Sequence, residues 1–203
     1  MKTRVQLSHF VLALLAGGCA SVPTEPISEK LDPDTATTVT VINHPVELLS
    51  QSTHGGKTDP FAYIAPFETD RMGERALFLW VAAPQDMGPL SQPQVLCNGE
   101  PLRLEPLSVD ALANGPGGAR PSTVDAQSAA NQSELARINL AHPPYDAPVP
   151  WSAQWYFRLP ADGLKCLAAA NGVALETRVS NGEAERFTAD RKNLASLDAF
   201  ARR

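Results

Sequence analysis

VALETRVSNGEAERFTA, Val173–Ala189, alternates side-chain character around an Asn-Gly pair. Val173, Leu175, Thr177 and Val179 share one face of an extended chain, and Glu176 and Arg178 share the other. A period of two is the mark of a half-buried strand. Asn181-Gly182 supplies the positive φ angles of a tight hairpin turn, and Glu183–Ala189 runs back as its partner. The stretch predicts an antiparallel hairpin, and the same signature recurs upstream. Val95, Leu96 and Cys97 lead into Asn98-Gly99, after which Leu102 and Leu104 alternate with Arg103 and Glu105.

Working outward, more short extended segments appear. Ala36–Asn43 is rich in Thr and Val, Pro45 breaks it, and Val46–Gln51 continues after a kink. Phe61–Glu68 is a short strand that Pro66 marks as edge or bulged. Thr69–Glu74 is a turn. Arg75–Ala83, RALFLWVAA, is apolar on both faces, the pattern of a central strand covered on both sides. Pro150–Leu159 places Trp151, Ala153, Trp155, Phe157 and Leu159 on one face. Asp162 is placed to cap a short helix through Ala170, with Asn171-Gly172 ending it in a residue able to take the left-handed conformation. Leu194, Leu197, Phe200 and Ala201 have helical spacing. Eighteen prolines and 13 glycines among 203 residues favour turns over long helices. The sum predicts a mainly β protein: an antiparallel β-sandwich, immunoglobulin-like in the broad sense, with a short internal helix and a C-terminal helix. The antibody arrangement of a Trp soon after the first of two cysteines is not met, because Trp80 precedes Cys97.

The N-terminal residues carry an address. Lys2 and Arg4 form a basic start, Leu7–Leu15 is apolar apart from Ser8 and His9, and Ala16, Gly17 and Gly18 are small. This is the anatomy of a secretory signal. The apolar run is about ten residues, against about 20 for a spanning helix. Leu15-Ala16-Gly17-Gly18-Cys19 resembles the lipobox of bacterial lipoproteins, with Ala16 where leucine is usual. The resemblance implies cleavage before Cys19, diacylation of its thiol and acylation of the new amino group. Two or more chains hold a protein stably on a bilayer. In Gram-negative lipoproteins a residue other than Asp after the cysteine, here Ala20, implies the outer membrane. Residues 1–18 are then the signal peptide, 19–35 a lipidated cysteine with an extended tether, and 36–203 the β domain with a flexible insert near 108–147. Glu29–Val41, EKLDPDTATTVTV, also resembles the start of the soluble part of a group of proteobacterial lipoproteins with no assigned activity.

This address changes how the rest reads. Loss of residues 1–18 takes Lys2 and Arg4 and moves the net charge from −5 to −7. So acidic a chain is a poor match for nucleic acid or anionic lipid. Cys97 and Cys166 remain as a pair, and in an oxidising compartment a lone pair of thiols predicts a disulfide. Two separate buried thiols are the alternative.

Motifs that carry chemistry are absent. The sequence holds no HExxH, GxSxG, P-loop, GxGxxG or CxxC. His54-Gly55-Gly56 is a glycine-rich loop. His44 and His142 sit beside prolines, and no metal site or cofactor is expected from them. Asp32 and Asp34 lack the further oxygen ligands of a calcium loop and predict a turn or cap. Trp155 and Phe157 are expected in the core, whereas the proline-flanked Tyr145 and Trp151 are candidate contacts for a sugar ring or a partner's apolar side chains. The expected function is a membrane-anchored, non-enzymatic binding or scaffold module with an envelope protein partner. A carbohydrate or peptidoglycan binder using Tyr145 and Trp151 is the runner-up, and an envelope hydrolase with a site assembled across loops is third.

Overall fold

The computed structural model describes residues 25–51, 61–84, 90–107, 138, 140–146, 152–178 and 182–203. Its strands are β1 (Ile27–Asp32), β2 (Thr37–Ile42), β3 (Val46–Ser50), β4 (Phe61–Arg71), β5 (Glu74–Pro84), β6 (Gln94–Cys97), β7 (Glu100–Pro101), β8 (Glu105–Pro106), β9 (Ser152–Arg158), β10 (Gly172–Arg178) and β11 (Ala184–Asp190). Helix α1 (Ala161–Ala169) separates β9 from β10, and α2 (Ala195–Ala201) follows β11. The fold is mainly antiparallel β and sandwich-like, with the expected internal and C-terminal helices. One curled sheet runs in the order β7-β6-β10-β11-β3-β4-β5-β9-β8, and β1 and β2 branch from it at β4.

Local chemistry explains the hairpins. Asn98 and Gly99 take φ of 52° and 88°, the mirror-image turn that suits twisted strands. Met72 and Gly73 do the same between β4 and β5, with φ of 56° and 88°. Gly182 lies at 89°, whereas Asn181 falls outside the described residues. β10 and β11 pair from Gly172↔Asp190 to Arg178↔Ala184, as the alternation predicted.

The curl closes around a single core. Trp80, Tyr156, Phe67, Phe78 and Phe157 are its largest fully buried side chains. β5 lies between β4 and β9 and buries every residue from Phe78 to Pro84, so its apolar character on both faces reports a truly central strand. Phe67 stacks on Phe78 at 5.3 Å and meets Tyr156 edge-on at 6.2 Å. Burial of Tyr156 together with Phe157 shows that β9 is covered on both sides, not on its odd-numbered face alone.

Four expectations are corrected. The tether expected over 19–35 ends earlier, because Ile27–Asp32 pairs with β2 along its whole length, from Ile27↔Ile42 to Asp32↔Thr37. An edge strand needs only one partner, so its alternation is weak and easily mistaken for a linker. The strand around Pro66 is 11 residues long and central. It tolerates proline because its pairs with β3 stop at Ile64 and those with β2 start at Phe67. Pro66 thus lies where no neighbouring strand asks for its absent N–H. Asp162 is in the first turn of α1, not at its N-cap, which is Pro160. The helix ends without a left-handed residue. Ala170 turns extended at ψ 143°, and Arg191 Nη1 donates to the carbonyls of Ala168 (2.6 Å) and Ala170 (3.1 Å). A cation at the helix C-terminus satisfies the orphan carbonyls and suits the dipole.

The Cys97–Cys166 disulfide is formed and ties β6 to α1. Helix α2 buries Leu197 and Phe200, the apolar stripe its spacing predicted.

Candidate functional site

Polar side chains from distant parts of the chain converge where β2 passes into β3. Ile42–Pro45 stands opposite only Ala65 and Pro66 of β4, so the strand bulges by two residues there. The β2–β4 register, Val41↔Phe67, would make Ile42 and Pro66 the next hydrogen-bonded pair. The Tyr145 hydroxyl is inserted between them instead. It accepts from Ile42 N–H at 3.1 Å and donates to Pro66 C=O at 2.7 Å. A side chain thus stands in for one rung of the ladder at the point where the sheet forks.

The Tyr145 ring is held as firmly as its hydroxyl. It packs on Trp80 at 5.1 Å and against the edge of Phe67 at 6.3 Å. Trp80 Nε1–H donates to Gln154 Oε1 at 2.9 Å. At 8% exposure Tyr145 is a core residue, and burial raises its pKa well above the usual phenol value. The sequence reading of Tyr145 as a ligand contact is therefore corrected. Its flanking prolines describe the path of the backbone, and a long-range pair of backbone groups captures the ring. Trp151, the other candidate contact, lies outside the described residues, as does Cys19.

Tyr145 belongs to a strap, Leu140–Asp146, that crosses β1 and β2. Its other end is fastened by Asp32. The Asp32 side chain, 4% exposed, accepts four backbone N–H bonds. Oδ1 takes those of Asp34 (3.1 Å) and Thr35 (3.3 Å), closing the β1–β2 turn. Oδ2 takes those of Ala141 (2.8 Å) and His142 (3.2 Å), holding the strap. Desolvation pushes the Asp32 pKa up, but the four N–H donors outweigh it and leave the value below the usual carboxylate range. The C-terminal part of the insert expected near 108–147 is therefore tied down, and Ile138 and Leu140 are buried with it.

His142 Nδ1 lies 3.8 Å from both Asp32 Oδ1 and Asp34 Oδ2. The three side chains bring potential metal-ligand atoms within 4.8 Å of one another, a meeting invisible in a sequence that separates Asp32 from His142 by 110 positions. Each Asp32 oxygen already accepts two N–H groups, which occupies its lone pairs. The arrangement is that of a clasp. A cavity of about 170 Å³ opens beside it, lined by Leu31, Val39, Val41, His142, Pro143 and Pro144. A second, of about 230 Å³, flanks Tyr145 between Ile42, Pro45 and Asp146.

Asp32→Asn is expected to lower stability by about 2–3 kcal/mol near neutral pH, since an amide presents one acceptor where two oxygens each serve two donors. The folded pKa is depressed, so this stabilisation is present above the unfolded value near 3.9 and is lost as pH falls through the folded value. Urea unfolding between about pH 2 and 7 checks both points. The wild type should weaken below about pH 4 more steeply than Asp32→Asn, and parallel profiles would remove this role from Asp32.

Compared with protein-family models, with curated proteins and with solved structures, the chain matches none. What fold and site define is thus a class of architecture: a disulfide-tied, mainly antiparallel β domain with a strap clasped across its forked sheet.

Proposed function

We propose that this protein is a lipid-anchored envelope protein whose β domain is a non-enzymatic binding or scaffold module, held through acylated Cys19 at the periplasmic face of the outer membrane. The observation that carries this is the order of features in residues 1–19: Lys2 and Arg4, the apolar Leu7–Leu15, and Leu15-Ala16-Gly17-Gly18-Cys19. The Cys97–Cys166 disulfide supports it, since structural disulfides persist in oxidising compartments. The position of β1 adds a dimension. Residues 20–26 alone separate Cys19 from Ile27. At roughly 3.3–3.6 Å per extended residue, such a spacer holds the domain within about 25 Å of the bilayer.

Cys19→Ser is expected to abolish incorporation of labelled palmitate and to move the protein from the membrane pellet to the soluble fraction. A variant that still pellets overturns the anchor. Crosslinking capture from envelopes tests the partner: an envelope protein should be enriched by the lipidated form over Cys19→Ser, and equal recovery removes the scaffold reading. The carbohydrate-binding alternative keeps Trp151 as its candidate but loses Tyr145, which the core consumes.

A further inference from the structure

The two ends of the main strand path are shielded as natural sheet edges are. β7 and β8 have two residues each, and each pair is Glu-Pro. β1 is different. It has six residues and, among the described residues, pairs on one side only, with β2.

The ladder says which of its groups are free. Asn43 N–H donates to Pro26 C=O at 2.9 Å in the same register, so Ser28, Lys30 and Asp32 continue the hydrogen-bonded pairs with β2. Ile27, Glu29 and Leu31 then direct their N–H and C=O groups to the outer edge. The β2 partner of Ile27 confirms the parity, since Ile42 N–H points away from β1 to Tyr145. Side chains of the outward-facing residues share one face: Ile27 is half-buried, Glu29 is exposed and Leu31 is 67% exposed.

We infer that the outer edge of β1 is a docking site for an extended segment of a partner protein, one carrying a basic residue opposite Glu29 and apolar residues opposite Ile27 and Leu31. Strand addition supplies affinity through backbone bonds and specificity through alternate side chains. The charge preference is visible within the chain itself: the Arg203 guanidinium bonds Glu29 Oε1 across 174 positions. A second copy of this chain is the poorer occupant. Outward groups must meet outward groups, so the antiparallel register that uses all three residues places Glu29 directly against Glu29 of the partner strand. The inference deepens the scaffold reading by naming the kind of segment bound. It is tested on the purified full chain whether or not Cys19 is acylated, so failure here and failure of the anchor are separate results.

The probe is a capped heptapeptide, Thr-Val-Thr-Lys-Thr-Val-Thr, whose Val, Lys and Val fall opposite Leu31, Glu29 and Ile27. Amide hydrogen exchange followed by NMR should slow about tenfold at Ile27, Glu29 and Leu31 and stay unchanged at Ser28 and Lys30. The same peptide N-methylated at its lysine should give no protection. Leu31→Pro removes an outward N–H without touching the β1–β2 ladder, so it should abolish the protection while exchange at Ser28 and Lys30 remains slow. Glu29→Lys should transfer binding to the glutamate-centred peptide and thus tests the pairing in a second, independent way. Equal protection by the N-methylated peptide, or unaltered binding to both variants, overturns the inference. So does a dimer in sedimentation that Leu31→Pro dissociates, because the occupant is then a second copy.

Discussion

Replacing Cys97 and Cys166 by alanine is expected to lower the unfolding free energy by about 4 kcal/mol, the chain-entropy value for a loop closed over 69 positions. The location makes the effect more than generic. Cys97 ends β6, which pairs with β10 through Cys97↔Val173, and Cys166 sits on the helix that leads directly into β10. The bond therefore ties α1 to β6, the neighbour of the strand into which its own chain leads. Without it α1 is held by the apolar contacts of Leu167 and Ala168 and by the Arg191 cap. Against a total of about 5–15 kcal/mol for a domain, a loss of this size moves the urea midpoint far. Unfolding with and without reductant checks it in the wild type, and the double alanine variant should be indifferent to reductant. A difference below about 1 kcal/mol would mean that the unfolded chain keeps the two segments together by other means.

Tyr145→Phe is expected to destabilise the protein by about 3 kcal/mol, although it removes a single oxygen. The phenyl ring keeps its contacts with Trp80 and Phe67. What is lost is the relay: Ile42 N–H has no acceptor and Pro66 C=O has no donor, each in a buried setting. An unsatisfied buried group costs about 1–3 kcal/mol. Two such groups exceed anything the removal of a hydroxyl from a surface tyrosine would produce. Thermal or urea unfolding measures the loss, and exchange of the Ile42 amide locates it, since that amide should become the fastest-exchanging one in β2. If stability changes by less than about 0.5 kcal/mol and the Ile42 amide stays protected, β2 has closed directly onto Pro66 and the hydroxyl is not needed to hold the fork open.

Most of the strands are written in local alternation. Val173–Ala189 and Gln94–Cys97 carry their period and their turn residues together, so neighbouring side chains suffice to define them. Arg75–Ala83 announces its central place because both of its faces are apolar. Ile27–Asp32 hides for the opposite reason: an edge strand with Ser28, Glu29 and Lys30 needs little apolar surface once β2 pairs with it. The helix end at Ala170 depends on Arg191, 21 positions on, and no local signal at Asn171-Gly172 replaces that.

The site follows the same division with less in the sequence's favour. Asp32 is legible as a turn residue from Leu31-Asp32-Pro33-Asp34-Thr35, and two of its four bonds are those of the turn. Its other two, to Ala141 and His142, and the two bonds of Tyr145 span 79 to 110 positions. The sequence by itself determined the strand-rich antiparallel class, the hairpin turns and both helices, because periodicity and turn conformation are local properties. It made a Cys97–Cys166 bond an expectation that the structure bears out, and it overran the second hairpin, whose return arm is Glu100–Pro101 alone. Only the tertiary structure decided that Tyr145 is a rung of the sheet and Asp32 the clasp of a strap. A hydrogen bond to a buried backbone group depends on where the chain returns in space, and no spacing of residue types records that.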